Sequence, residues 1–414
     1  MIYHIKAADT LKTEITLPSS KSISNRVLIL NALCNNPGRI DNISVCDDTE
    51  VMIKALKSKS NNNEINIGAA GTAMRFLTAY LSGQRGEHTI TGTERMRNRP
   101  IKLLVDALRS VGAQIEYIEK EGFPPLRIKG QTLQGGDVYL DGSVSSQYIS
   151  ALLMVAPVMT NGLRLHLAGD VISKPYINLT TRLMHQFGVM VFEEEQAFVV
   201  PPQQYSPVES FTVESDWSAA SYWYEMMALC KDDSASISLS GLRQDSLQGD
   251  SSIVGLFDGL GVKTTFDPSG VTLTKKQRTV GSPLAFDFVS IPDMAQTAVV
   301  TCTMLGIPFR FCGLQSLKIK ETDRLSALQT ELRKFGYPLE IHNGNTLEWN
   351  GQVCDAEAEP IVATYEDHRM AMAFAPICLC RQNGVSIANP EVVSKSYPTY
   401  WDDIKKAGFL TCYT

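Results

Sequence analysis

Basic side chains in this chain gather at one kind of place. Lys21 and Arg26, then Arg75, Arg95, Arg97 and Arg99, then Lys174, Lys320, Arg324, Arg369 and Lys395 all lie near short polar or glycine-containing stretches that open into apolar segments. The first amides of a helix lack internal partners and carry the positive end of its dipole, so such openings attract anions, and a neighbouring Lys or Arg adds a full charge. The chain as a whole is acidic, with 38 Lys and Arg against 44 Asp and Glu and a net charge of −6. Clustered cations in an acidic chain point to local binding of anionic small molecules, not to a general attraction for nucleic acid or anionic membranes. The carboxylates at the same places are few: Asp48, Asp293, Glu321, Asp323 and Asp367. Asp293 and Glu321 are flanked by cations, where a carboxylate stays ionised and can orient a hydroxyl or move a proton. Asp48 and Asp323 read as helix caps.

The openings that position these groups recur six times. With Ser22, Thr72, Ser145, Ser218, Asp293 and Asp367 as markers, the separations are 50, 73, 73, 75 and 74 residues, an internal repeat with one shortened unit. A second series interleaves with it, in which a cap or proline precedes an amphipathic run: Val51–Leu56, Ile101–Val111, Ile177–Phe187, Ile253–Leu260, Leu325–Phe335 and Trp401–Ala407. Gly112, Gly188, Gly261, Gly336 and Gly408 stand just past the ends of five of them, as helix stops do. Short β-branched runs lie between, among them Leu126–Ile128, Val138–Leu140, Leu163–Leu167, Ser236–Leu239 and Val271–Leu273. Each unit therefore predicts two helices with strands, an α/β protein of six units arranged as three per domain. The most linker-like stretch, Pro201–Pro207, followed by Val208–Ser215, falls between the third and fourth units.

At 44% hydrophobic residues over 414, the chain can bury large cores. Nine cysteines form no CxxC pair and six histidines are scattered without metal-ligand spacing, so reduced thiols and no metal site are expected. The longest apolar stretch, Ala151–Met159, is too short for a membrane span, and Met1–Lys12 lacks the pattern of a signal peptide. A cytoplasmic, monomeric protein is the expectation. Neither GxxxxGK[ST] nor GxGxxG occurs, since Gly68-Ala69-Ala70-Gly71 fits neither motif.

The motifs themselves carry a resemblance. Leu17-Pro18-Ser19-Ser20-Lys21-Ser22-Ile23-Ser24-Asn25-Arg26, Gly71-Thr72-Ala73-Met74-Arg75, Asp141–Gln147, Ser173-Lys174-Pro175-Tyr176, Ile291-Pro292-Asp293, Lys320–Leu325 and Asp367-His368-Arg369-Met370 run in order along nearly the whole chain. Together they resemble the 5-enolpyruvylshikimate-3-phosphate synthase family. The resemblance implies two domains, each of three βαβαββ units with helices inside, closing on a cleft; residues 20–214 would form one, and 1–19 with 215–414 the other. The first would bind mainly shikimate 3-phosphate and the second would complete the phosphoenolpyruvate and catalytic site.

Carried over residue by residue, the family pattern puts shikimate 3-phosphate on Lys21, Ser22, Arg26, Ser145, Ser146, Gln147, Ser173, Tyr176, Asp293, Ser316 and Lys320. Phosphoenolpyruvate would sit on Lys21, Gly71, Arg95, Gln147, Arg324, Arg369 and Lys395. The implied reaction needs no cofactor: Asp293 orients or deprotonates the attacking hydroxyl, while Glu321 and Lys21 share the proton transfers. Three positions depart from the common family form, with Ala69 in place of an Asn, Phe76 in place of a Pro, and Ser316 in place of an Asn. Phe76 is expected to alter how Gly71 is presented, and with Ala69 it leaves sensitivity to the family inhibitor glyphosate open. A sister family acting on UDP-N-acetylglucosamine has Asn after the first Lys and a reactive Cys in a loop; here Ser22 follows Lys21, and Gly86–Arg99 holds no Cys.

Overall fold

The protein is described by a computed structural model over residues 1–57 and 63–413. It divides into two compact units: a continuous one, Ser19–Val213, and a split one, Met1–Pro18 with Glu214–Thr414. Both are mixed α/β, with helices of two kinds. Inner helices open at the six markers and are buried on most sides, whereas outer helices bury one stripe only. In Gly71–Ser82 only Thr72 and Tyr80 escape full burial, while Lys102–Ser110 buries Leu104, Val105, Ala107 and Leu108.

The continuous unit packs the inner helices Lys21–Leu33, Gly71–Ser82 and Ser146–Val155 against its sheets. One four-stranded sheet runs Asn63–Asn66, Gly86–Thr91, Leu126–Gly130, Gln114–Tyr117 in spatial order. The second runs Phe192–Glu194, Ala197–Val200, Leu163–Ala168, Gly136–Asp141. The third sheet is reduced to the parallel pair Arg39–Asp41 and Ser210–Thr212. This is the shortened repeat: among the described residues its second helix, Asp47–Lys57, is followed by Asn63–Asn66 of the next sheet, with no hairpin between them.

The split unit has three four-stranded sheets around the inner helices Trp217–Leu229, Ala295–Met304 and His368–Phe374. Two of these sheets need strands from the amino terminus. Lys12–Thr16 lies parallel to Ser236–Ser240, and Ile2–Lys6 is sandwiched between Val385–Ala388 and Leu410–Tyr413. Large side chains fill the interior, with Trp217, Trp223, Tyr224, Phe257 and Phe288 almost wholly enclosed. Buried apolar side chains of this size contribute roughly 1.5–3 kcal/mol each. A carboxyl shares that interior: Glu225, on the third turn of Trp217–Leu229, is fully buried, and among the described residues neither of its oxygens has a hydrogen-bond partner.

Candidate active site

Capping chemistry at the markers sets where the functional side chains go. Ser20, Ser145, Asp216 and Asp367 each accept a hydrogen bond from an amide in the first turn of the helix that follows, so the openings predicted from sequence are real helix starts. Asp323 caps Arg324–Lys334 by accepting from the amides of Leu325 and Ser326, as expected.

In the split unit these starts bring together an ion network around Arg324, which is only 1% exposed. Its Nε and Nη2 donate to the fully buried Asp367 carboxylate at 2.7 and 3.3 Å, its Nη1 donates to Asp293 Oδ1 at 2.7 Å, and its Nη2 also reaches Glu321 Oε2 at 3.0 Å. A second layer of cations closes on the two outer carboxylates. Lys320 Nζ is 3.4 Å and Arg369 Nη2 3.5 Å from Asp293, and Lys395 Nζ donates to Glu321 at 2.9 Å. Burial alone would push the Asp293 carboxyl up; Lys320, Arg369 and Arg324 outweigh it and hold the group well below the usual carboxylate range. A carboxylate so stabilised accepts hydrogen bonds well and keeps a proton poorly. Arg369 also donates to the Asp293 carbonyl and to Ser218 Oγ, which in turn donates to the buried Asp250. Ser316 Oγ is buried and has no hydrogen-bond partner among the described residues.

The continuous unit gathers its own set. Lys21 pairs with Asp48 at 3.4 Å, so Asp48 is an ionic partner as well as a first-turn residue of Asp47–Lys57. Gln147 Nε2 donates to Thr72 Oγ1 at 3.1 Å, tying two helix starts together. Arg75 and Arg99 both bring a guanidinium against Gly71, where a Cβ would lie 2.6 Å from Arg99 Nη1 and 2.9 Å from Arg75 Nη1, so a larger residue there would displace them. Ser22, Ser145 and Tyr176 are half-buried, and Ser146 and Ser173 are buried. Arg26 is buried too, and all its partners are neutral: Thr180 Oγ1 at 2.7 Å, the Ser22 carbonyl at 2.9 Å, the Tyr176 carbonyl at 3.3 Å and Ser150 Oγ at 3.4 Å. Burial pulls its pKa down to about 10.

Two expectations from sequence change here. Phe76 does not bear on Gly71; its ring is fully buried, with the Arg26 guanidinium 5.3 Å from its centroid. Several basic groups near helix starts are ordinary surface ions: Lys174 pairs with Glu193 at 2.7 Å and Arg97 with Glu119 at 2.8 Å, all four side chains well exposed. Arg95 is exposed on the short helix Glu94–Arg97. Sequence reading missed Thr180, Ser150 and Asp250 as partners. The available signal for Thr180 was its place one helical turn beyond Tyr176.

Among the described residues no helix is long and apolar enough to cross a membrane. Comparison with known proteins bears directly on this constellation. The family model for EPSP synthase (3-phosphoshikimate 1-carboxyvinyltransferase) matches residues 5–59 and 57–404. A 3-phosphoshikimate 1-carboxyvinyltransferase of Bacteroides fragilis (strain YCH46) is 56% identical, the match covering 99% of this chain and 98% of the relative. The protein of that name from Sulfurovum sp. (strain NBC37-1) is 36% identical, over 96% of this chain and 97% of its own. Two solved structures share the fold: EPSP synthase from Acinetobacter baumannii, with a TM-score of 0.75, 18% identity and coverage of 100% and 99%, and the enolpyruvyl transferase NikO from Streptomyces tendae, with a TM-score of 0.75, 15% identity and coverage of 100% and 98%. A full-length match at this identity, together with helix starts that gather the ionic groups of the motifs, assigns the chain to the EPSP synthase (3-phosphoshikimate 1-carboxyvinyltransferase) family.

Proposed function

We infer that this chain transfers the 1-carboxyvinyl group of phosphoenolpyruvate to the 5-hydroxyl of shikimate 3-phosphate, releasing inorganic phosphate, a step toward chorismate and the aromatic amino acids. The observation that carries the reading is the network in which Arg324 pairs with Asp293 and Glu321 beside Lys320, Arg369 and Lys395. It supplies, in one place, carboxylates for hydroxyl and proton chemistry and cations for phosphate and carboxylate groups.

In this reading residues of both units serve one reaction. Shikimate 3-phosphate is held by Ser22, Arg26, Ser145, Ser146, Gln147, Ser173 and Tyr176, with Lys21, Asp293, Ser316 and Lys320. Phosphoenolpyruvate is held by Lys21, Gly71, Arg95, Gln147, Arg324, Arg369 and Lys395. A proton adds to the methylene carbon of phosphoenolpyruvate while the 5-hydroxyl oxygen bonds to the adjacent carbon. Phosphate then leaves with its bonding electron pair, and loss of a methyl proton restores the double bond. Asp293, a poor proton holder, orients the hydroxyl. Glu321 and Lys21 exchange the protons, and the arginines balance the charge that develops on phosphate. Action as a monomer in the cytoplasm belongs to the same reading, and nine unbridged cysteines fit a reducing compartment.

Purified protein mixed with shikimate 3-phosphate and phosphoenolpyruvate in chelator-treated buffer is expected to release phosphate. Absence of release, or release only when a UDP-sugar replaces shikimate 3-phosphate, refutes the assignment in favour of the sister activity.

A further inference from the structure

The outer helix Arg324–Lys334 grips the segment leading into the inner helix His368–Phe374 along its whole length. At its start Arg324 donates to the Asp367 carboxylate at 2.7 and 3.3 Å. Two turns further on, and so on the same face, stands Glu331, which is fully buried. Its Oε1 accepts from the Tyr365 hydroxyl at 2.6 Å and its Oε2 from the Ala363 amide at 3.1 Å. In the last turn Lys334 donates to Glu331 Oε2 at 2.7 Å and to the Ile361 carbonyl at 2.9 Å. One helix thus holds Ile361, Ala363, Tyr365 and Asp367, every second residue of the approach, with its partners in reverse order along the helix.

That approach needs holding. Tyr365 and Glu366 have φ of 54° and 56°, in the left-handed region that residues other than Gly, Asn and Asp seldom adopt. Two such residues in succession persist only where their surroundings over-determine them. Beyond the turn the Asp367 amide donates to the Thr364 carbonyl at 2.8 Å, and the Asp367 carboxylate accepts from the Arg369 amide at 2.9 Å. Arg369 in turn reaches Asp293 at 3.5 Å. Where the turn stands therefore fixes where Asp367 and Arg369 stand.

We propose that Glu331 and Tyr365 are positioning residues, which hold the left-handed turn at 365–366 so that Arg324 and Arg369 are aimed at phosphoenolpyruvate. The role rests on the assignment of those two arginines to that substrate. Shikimate 3-phosphate, assigned mainly to side chains of the continuous unit, should feel the turn little.

Steady-state kinetics and amide exchange test this together. Tyr365→Phe keeps the exposed ring and removes its hydrogen bond to Glu331. The KM for phosphoenolpyruvate is expected to rise roughly three- to tenfold, the effect of about one net hydrogen bond, and the KM for shikimate 3-phosphate to stay within about twofold. Adding Glu366→Asn, which tolerates positive φ, is expected to restore most of the loss. Tyr224→Phe removes a bond of the same kind, to Thr264 at 3.0 Å in the core of the same unit, and is expected to leave the phosphoenolpyruvate KM unchanged. Hydrogen exchange of the Asp367 and Arg369 amides, read by NMR without substrate, is expected to quicken in Tyr365→Phe and to recover in the double variant. Unaltered exchange or an unmoved phosphoenolpyruvate KM in Tyr365→Phe, or an equal rise in Tyr224→Phe, overturns the proposal. An inactive parent would instead refute the transfer reaction, and the exchange rates alone then decide whether Glu331 and Tyr365 hold the turn.

Discussion

The helix starts of the two units handle charge in opposite ways. In the split unit the buried guanidinium of Arg324 meets three carboxylates of its own chain, Asp367, Asp293 and Glu321. In the continuous unit the equally buried Arg26 meets hydroxyls, carbonyls and the Phe76 ring, with no carboxylate paired to it among the described residues, so its charge is solvated by dipoles and not neutralised. One unit thus carries a self-compensated set able to keep carboxylates ionised for proton and hydroxyl chemistry. The other keeps positive charge in hand for anions that come from outside. The same backbone device, a capped helix start, serves both ends because what differs is the side chains set beside it.

Removing the central cation from each unit tests that contrast most severely. Arg324→Met removes the guanidinium paired with the fully buried Asp367 and is expected to cost about 3–5 kcal/mol, along with activity. Arg26→Met leaves Thr180 still bonded to Ser150 at 2.8 Å and to the Tyr176 carbonyl at 3.0 Å, and is expected to cost only about 1–3 kcal/mol. Urea unfolding of the two variants compares them, and equal losses would erase the distinction drawn between the units. Lys21→Ala probes the continuous unit through turnover: phosphate release is expected to fall by roughly 10²–10⁴-fold with the urea midpoint retained. Unchanged kinetics would remove Lys21 from the proton transfers.

Glu225 sharpens the point inside the split unit, since it is a buried carboxyl without the compensation Asp367 enjoys. Burial raises its pKa well above the ordinary 4.5. A raised carboxyl contributes stability below the unfolded value, and that contribution is lost as pH climbs toward the folded one. Glu225→Gln removes the titration, so the variant is expected to gain on the parent as pH rises above about 4.5, by up to about 1.4 kcal/mol per pH unit within that window. Thermal melts at pH 5 and pH 8 read the difference, and a constant gap between the two proteins would show that Glu225 does not titrate in this way. The smallest effect is expected at Lys174, whose surface pair with Glu193 resembles the buried networks in composition alone; Lys174→Ala should shift stability by no more than about 0.5 kcal/mol, and a larger loss in urea would mean the pair is not solvated.

What could be read from sequence was what is local. Ser20, Ser145, Asp216 and Asp367 cap helices within three residues of themselves, so four of the six openings were legible from local capping, and the near-even spacing carried the other two, Gly71–Ser82 and Ala295–Met304, which have no side-chain cap. The shortened first step was legible as a number, though its meaning, a sheet cut down to Arg39–Asp41 and Ser210–Thr212, depends on pairing across the whole unit. Partners distant in sequence were not legible: Arg324 finds Asp367 43 residues on, and Arg26 finds Thr180 at a separation of 154. Phe76 went astray for a geometric reason. Five residues past Gly71 at about 100° each, it lies on the far side of the helix and faces inward. The strands Ile2–Lys6 and Lys12–Thr16 were missed because nothing near them completes their sheets.

Those two strands also bear on how the chain is made. Everything the continuous unit pairs with lies within Ser19–Val213, so that unit can fold while the rest of the chain is being translated. Ile2–Lys6, made long before either partner, must stay unpaired until Val385–Ala388 and Leu410–Tyr413 arrive. A strand separated from its sheet by most of translation is therefore among the last to find its neighbours, and during that interval its open edges need a chaperone's cover.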